Sequence, residues 1–507
     1  MDSSIQWGMP QTRPILMIPG PTELPWPVIQ AMNQPPTIQY DYNFDVKVLE
    51  PITLSLREVF QSPRGEVIVM PGSGRTALEA AALSVMEPGE PVVVIVAGVF
   101  GVLMREIMTR VGAEVTEFAV EWGQPIDLQR LEREIERVRP KAVTLVHNET
   151  STGSTYPAAA VAALAKRHGA LFLLDTVSSL AGLDVRTDEW GVDLNMTGSQ
   201  KCLAAPLGMS LVAVSPAAWD AMERRKHKAG SFVYDLLRWK EQWIPTSRGG
   251  HVPDGSPRRQ PVSIPTHLTA ALGEATRLIL AEGLPHRFRR HAVAGRAFRA
   301  GLDAMRIEMF PDPTLLSDTV ACFKAPAGID PAAVVKTMRD RYGILIGTGL
   351  DKLRATALRV GHMGITSSPL YVLPTLRDRS PHRRSRRFPV SLRRHSGPRA
   401  GPQARRGRRP LEPRRRRRGR ADPAHRQGAC GREHPGACPL HRRRLHRLPH
   451  PEDGLRLGHR HRQRGPQHRR DARRHGLQHP RRQRLRRRRA RAHAHAGRGA
   501  EDHDPRP

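Results

Sequence analysis

Short apolar runs, each closing on a cluster of small polar residues, recur through the first 376 residues. Pro91-Val-Val-Val-Ile-Val-Ala97, Ala142-Val-Thr-Leu-Val146 and Leu171-Phe-Leu-Leu174 are short and rich in β-branched or bulky apolar side chains. They read as buried strands. Glu114 to Val120, Leu194 to Met196 and Met209 to Ala213 add three more. Between them run helical patterns at Leu103 to Val111, Leu128 to Val138 and Pro157 to His168. This alternation predicts an α/β fold with a mostly parallel central sheet covered on both faces. Ligands of such sheets sit beyond the carboxyl ends of the strands. The polar clusters fall there: His147-Asn-Glu-Thr-Ser-Thr152, Asp175-Thr-Val-Ser-Ser179 and Thr197-Gly-Ser-Gln-Lys201.

A second set of elements follows. A long helix from Thr266 to Glu282 leads into it. Helix Leu284 to Met305, strand Thr319 to Lys324, helix Pro331 to Arg341, strand Ile344 to Ile346 and strand Ala357 to Met363 come next. The expected organisation is an N-terminal segment (1–18), a large domain (19–280) and a smaller C-terminal α/β domain (281–376). A last helix starts near Pro369 and is cut short after little more than one turn.

The composition then breaks. The chain carries 82 Lys and Arg against 48 Asp and Glu, a net charge of +34. Residues 377–507 hold 43 Arg, no Lys and 10 acidic residues, so the first 376 residues are nearly neutral. The last 131 residues have one aromatic, Phe388, and are built of Arg, Pro, His, Gly and Ala. Such a segment cannot bury enough apolar surface to offset its ordering entropy, and a disordered tail is expected. Two origins fit it. A shifted reading frame explains the GC-rich codon set, the abrupt change near Thr375 and the complete absence of lysine. An arginine-rich arm binding nucleic acid non-specifically explains the charge alone. The frameshift is the preferred account.

Four cysteines in 507 residues make no disulfide framework. Cys430 to His441 matches no common zinc spacing, and no metal site is expected. The N-terminus lacks a basic start followed by an apolar run, and no stretch of about 18 apolar residues occurs. A cytoplasmic protein is the expectation.

Three places carry chemistry. Lys201 stands among small residues, between a polar turn and the apolar stretch Cys202-Leu-Ala-Ala-Pro-Leu-Gly-Met209, with no charge nearby. A lysine held from water loses part of its preference for the ammonium form and becomes a nucleophile towards carbonyls. Capping a helix or snorkelling from a core edge is the plainer use of such a residue. Asp175 closes an apolar strand, so its carboxylate is half buried; it either caps the next turn or holds a proton on a heterocyclic nitrogen. Met70-Pro-Gly-Ser-Gly-Arg-Thr76 is a Gly-rich turn opening onto a helix, which suits a phosphate or merely a tight turn.

Taken together, these segments resemble the class V aminotransferases, a branch of the fold-type-I enzymes of pyridoxal 5'-phosphate (PLP). The resemblance rests on Pro19-Gly-Pro-Thr22, Gly72-Ser-Gly-Arg-Thr-Ala-Leu-Glu-Ala80, Ala97-Gly-Val-Phe-Gly101, His147-Asn-Glu-Thr-Ser-Thr-Gly153, Leu174-Asp-Thr-Val-Ser-Ser179, Gly198-Ser-Gln-Lys201 and Leu358-Arg-Val-Gly-His-Met-Gly364. It is strongest towards the alanine–, serine– and ureidoglycine–glyoxylate aminotransferases. It implies a Schiff base between Lys201 and PLP. Ser73, Gly74, Arg75 and Gln200 would hold the phosphate. Phe100 would stack on the ring and Val177 would pack on its other face. Ser151 and Thr152 would reach the ring hydroxyl, and Asp175 would pair with the ring nitrogen. Arg359, with Gly20 close by, would clamp the substrate carboxylate. The family forms homodimers that share phosphate contacts, with Ser263 in the matching place; Gln260 stands where a tyrosine is usual.

The implied reaction is ping-pong transamination between a small amino acid, alanine or serine, and a 2-oxo acid, glyoxylate. Ureidoglycine as donor (Trp122-Gly, Thr187-Asp-Glu-Trp-Gly191) and pyridoxamine–pyruvate transamination (Arg341-Tyr-Gly) are the alternatives. A cysteine desulfurase is disfavoured, because Cys322 falls in an apparent strand.

Overall fold

The apolar runs form one seven-stranded sheet. The computed structural model describes residues 14–34, 38–39, 41–245, 248 and 260–376. The arginine-rich tail with its expected disorder and its Cys430 to His441 stretch lies outside these residues, as do residues 1–13. In chain order the strands are β1 Glu66–Gly72, β2 Pro91–Val96, β3 Glu114–Ala119, β4 Ala142–Val146, β5 Leu171–Asp175, β6 Leu194–Gly198 and β7 Gly208–Val214. Their spatial order is β1-β7-β6-β5-β4-β2-β3, and only β7 runs against its neighbours. All five residues of β4 are buried, as expected of a strand covered on both faces.

Among the helices that pack on this sheet are α1 Gly74–Val85, α2 Val99–Arg110, α3 Leu128–Val138 and α4 Ala158–Arg167. Helix α3 shows why the sequence folds this way. Asp127 caps it by accepting the Arg130 N–H at 3.0 Å, and Leu131 and Ile135 face inward while charged residues cover the outside. Each such buried leucine or isoleucine contributes about 1.5–3 kcal/mol through removal from water. Helix α2 begins four residues before the expected Leu103. Its capping position is Gly98, which has no side chain, and the acceptors for its first N–H groups come from elsewhere in the chain.

Helix α5 Thr266–Glu282 and helix α6 Leu284–Ala304 meet at Gly283 (φ +80°), a left-handed hinge suited to glycine. A second cluster of buried residues, including Phe298, Leu302, Phe323, Ile344, Leu358 and Val360, lies beyond them. It is built on the antiparallel sheet of β8 Val320–Lys324, β9 Gly347–Thr348 and β10 Ala357–Gly361, with β10 in the middle. The start of the described chain returns here. Ile15–Leu16 pairs in parallel with Ile344–Leu345, and Met17 joins the cluster. Helix α7 Pro331–Tyr342 and the short helix α8 Pro369–Leu376 complete the set. Among the described residues no helix is long and apolar enough to cross a membrane.

Candidate active site

Pairing register sets the site. Asp175 ends β5, opposite Val146 on β4 and Met196 on β6. The chain leaves all three strands at the same edge, where a cavity of about 340 Å³ opens. Its wall includes Gly20, Ser73, Phe100, Asp175, Val177 and Lys201.

Lys201 lies three residues past β6, in a turn closed by the Ala204 N–H donating to the Lys201 carbonyl at 2.9 Å. Only 9% of the residue is exposed. Its Nζ donates to the Pro19 carbonyl. Burial, reinforced by the Arg359 charge, brings its pKa down to about 8; Cys202, Asp175 and Glu149 oppose that shift. The amine thus gives up its proton just above neutral pH, well below the range of an exposed lysine.

Asp175 is 4% exposed. Its Oδ1 accepts the Val177 N–H at 2.8 Å, so it does close the following turn. Burial pushes its pKa up to about 7, against the pull of that N–H; Glu149 adds to the rise and Lys201 opposes it. A carboxyl so poised becomes a firm anion once a cation faces it.

The Gly-rich turn caps β1 and opens helix α1. The first N–H groups of a helix lack intrahelical acceptors and carry the positive end of its dipole. Ser73, Gly74, Arg75 and Gln200 all reach the cavity. Arg75 has no ion-pair partner among the described residues, and the Gln200 amide oxygen is buried without a hydrogen bond. The packing here requires glycine. A Cβ on Gly74 would lie 2.5 Å from Val177 Cγ2, and one on Gly198 would lie 2.8 Å from the Gly74 nitrogen. These features fit a phosphorylated flat heterocycle. The donors and the helix end suit the phosphate, Phe100 and Val177 offer apolar faces, and Asp175 and Lys201 supply an acid and an amine.

Arg359 comes from the middle of β10 and is 8% exposed. Its Nε donates to the Thr348 carbonyl at 2.9 Å and its Nη1 to the Thr150 carbonyl at 3.2 Å. Among the described residues no carboxylate pairs with it, which leaves a buried guanidinium suited to a substrate carboxylate. The Ser151 hydroxyl donates to Glu149 Oε1 at 2.5 Å and accepts the Val99 N–H at 3.0 Å. Thr152 bonds the Ser154 hydroxyl at 3.0 Å. Neither reaches the cavity wall, where Asn148 and Thr150 stand instead. Ser263 is exposed and away from the cavity, while Gln260 is buried and donates to Asp45 at 2.6 Å.

Residues 19–360 match the family model described as "Aminotransferase class-V". The chain belongs to the class V aminotransferases. It is 32% identical to the (S)-ureidoglycine–glyoxylate transaminase of Bacillus subtilis, over 71% of this chain and 89% of that one. It is 33% identical to a serine–glyoxylate aminotransferase of Hyphomicrobium methylovorum, over 69% and 85% of the two chains. Among solved structures, an alanine–glyoxylate aminotransferase from Nostoc sp. superposes with a TM-score of 0.68 at 31% identity, covering 74% of this chain and 97% of that one. The chain is therefore a PLP-dependent aminotransferase of fold type I.

In this aminotransferase, sequence reasoning misses Glu149. The residue is fully buried, and burial raises its pKa while four donors oppose the rise. Two of those donors are the N–H groups of Phe100 and Gly101, at 3.1 and 3.2 Å. The signal, an acid inside the polar cluster after β4, is present. Its partners lie 49 and 48 residues away, so nothing local points to them. Cys322, by contrast, is where the sequence puts it: buried in β8, with burial pushing its thiol up to about 12.

Proposed function

We propose that this aminotransferase passes an amino group from a small amino acid, alanine or serine, to glyoxylate. The relatives named above differ in amino donor and share glyoxylate in their names. The observation that carries the reading is one cavity shared by the Lys201 amine and the Asp175 carboxylate, with Arg359, which has no carboxylate partner among the described residues, bonded to its Thr150 wall.

PLP bound there supplies an electron-withdrawing ring that takes up the electrons left when the donor loses its α-proton. The protein's own groups do the rest. Arg359 holds the donor carboxylate through its planar fork. Asp175 keeps a proton on the ring nitrogen. The Lys201 amine, freed by the incoming donor, takes the α-proton as base and returns it as acid; a pKa near 8 lets it do both close to neutral pH. The same groups run the second half-reaction backwards on glyoxylate, so ping-pong kinetics follow. We also read Ser263 as a contact offered to a second copy in a homodimer, which its exposure permits.

Purified protein with PLP should convert glyoxylate in the presence of alanine or serine, and Lys201→Ala should abolish the conversion. Turnover with pyruvate or 2-oxoglutarate and none with glyoxylate would refute the proposed acceptor. A preference for ureidoglycine would refute the proposed donor. Sedimentation of a single chain under assay conditions would refute the dimer.

A further inference from the structure

Helix α2 begins with three N–H groups whose acceptors come from the segment after β4. Glu149 Oε2 accepts from Phe100 and Gly101 at 3.1 and 3.2 Å, and the Ser151 hydroxyl accepts from Val99 at 3.0 Å. The two capping side chains also hold each other. Glu149 Oε1 accepts from the Ser151 N–H at 3.1 Å and from its hydroxyl at 2.5 Å. Three backbone N–H groups and one hydroxyl converge on Glu149, an arrangement that favours its ionised form against the opposing effect of burial. That negative charge sits at the positive end of the helix dipole.

The local sequence makes room for this remote cap. A Cβ on Gly98 would lie 2.3 Å from Glu149 Cγ and 2.6 Å from Ser151 Oγ. A serine or aspartate, the usual capping residue, would collide there. The fold thus buries a carboxylate with no ion-pair partner among the described residues, which is costly unless its hydrogen bonds are needed.

The second residue of the capped turn is Phe100, whose side chain lines the PLP cavity together with Gly74 and Val177. We infer that Glu149 is a positioning residue which, with Ser151, fixes Phe100 in the cofactor cavity by capping its helix from a distant segment. This rests on the cavity taking PLP, and not on which amino donor follows.

The test reads the apoprotein first. Amide hydrogen exchange over residues 98–104 is compared among wild type, Glu149→Gln and Ser151→Ala, with β4 as the internal reference. In glutamine one oxygen becomes an N–H donor, so donors face donors on one side of the cap. Exchange at Val99, Phe100 and Gly101 should quicken while β4 stays protected. PLP dissociation constants from equilibrium dialysis should weaken about tenfold in Glu149→Gln and in Phe100→Ala, the scale of one aromatic contact. The double variant should bind no more weakly than Phe100→Ala alone. Unchanged exchange in both capping variants, or losses that multiply in the double variant, would overturn the inference. Failure of wild type to bind PLP would instead refute the cofactor site, and the exchange data would still judge the cap.

Discussion

A Cβ built on Gly20 would lie 2.4 Å from Cδ of Lys201 and 2.7 Å from its Cε. Gly20 also sits at φ +91°, in the left-handed region that suits glycine. The loop that carries the Pro19 carbonyl to the Lys201 amine therefore depends on the missing side chain. Gly20→Ala should fold, because residue 20 belongs to none of the clusters of buried apolar side chains. It should displace the lysine and lower kcat by about a hundredfold, as misplacement near 1 Å does. Thermal melting and single-turnover rates check this; full activity in a folded variant would contradict it.

The pH dependence of Lys201 has a defined direction. Its pKa lies near 8, so the neutral, nucleophilic fraction grows as pH rises through that value. The negative charge of Asp175 favours the ammonium form. Asp175→Asn removes that charge and should move the midpoint to lower pH. Reductive methylation of Lys201 in the apoprotein, followed by peptide mass analysis across a pH series, reads both midpoints. An unchanged or raised midpoint in Asp175→Asn would refute the coupling.

Arg359→Lys keeps the charge and loses the planar fork. If the residue grips the donor carboxylate, the KM of the amino donor should rise about ten- to a hundredfold, the worth of one charge-assisted pair. The KM for a donor lacking a carboxylate should barely move. Equal losses for both would mean that Arg359 only supports β9, through Thr348, and the Thr150 segment.

Cys202 and Cys322 should be inert. Both are fully buried, and burial pushes each thiol up to about 12. A thiol reagent at neutral pH, read by peptide mapping, should leave both unmodified in native protein and label both after denaturation. Rapid native labelling of Cys322 would reopen desulfurase-like chemistry.

The central sheet is legible in the sequence, because β2, β4 and β5 are apolar runs buried on both faces. The positions of Asp175 and Lys201 follow from it: Asp175 ends an apolar strand, and Lys201 stands at the far end of the polar turn that follows the next one. The start of helix α2 is not legible. Its cap arrives from Glu149 and Ser151, and a rule that looks for Ser, Thr or Asp at position 98 finds glycine. The same remote contact explains Ser151, which the family resemblance assigns to the ring hydroxyl and which in the structure belongs to the cap. Arg359 reaches the site only because β10 lies beside β9 and near the Thr150 carbonyl, a contact across 209 residues that no local pattern encodes.

The central claim is that PLP is held covalently by the amine of residue 201. Holoenzyme reduced with borohydride and digested should yield one pyridoxyl-bearing peptide, containing Lys201, and Lys201→Ala should yield none. A label on another lysine, or an equal label in Lys201→Ala, would contradict the account.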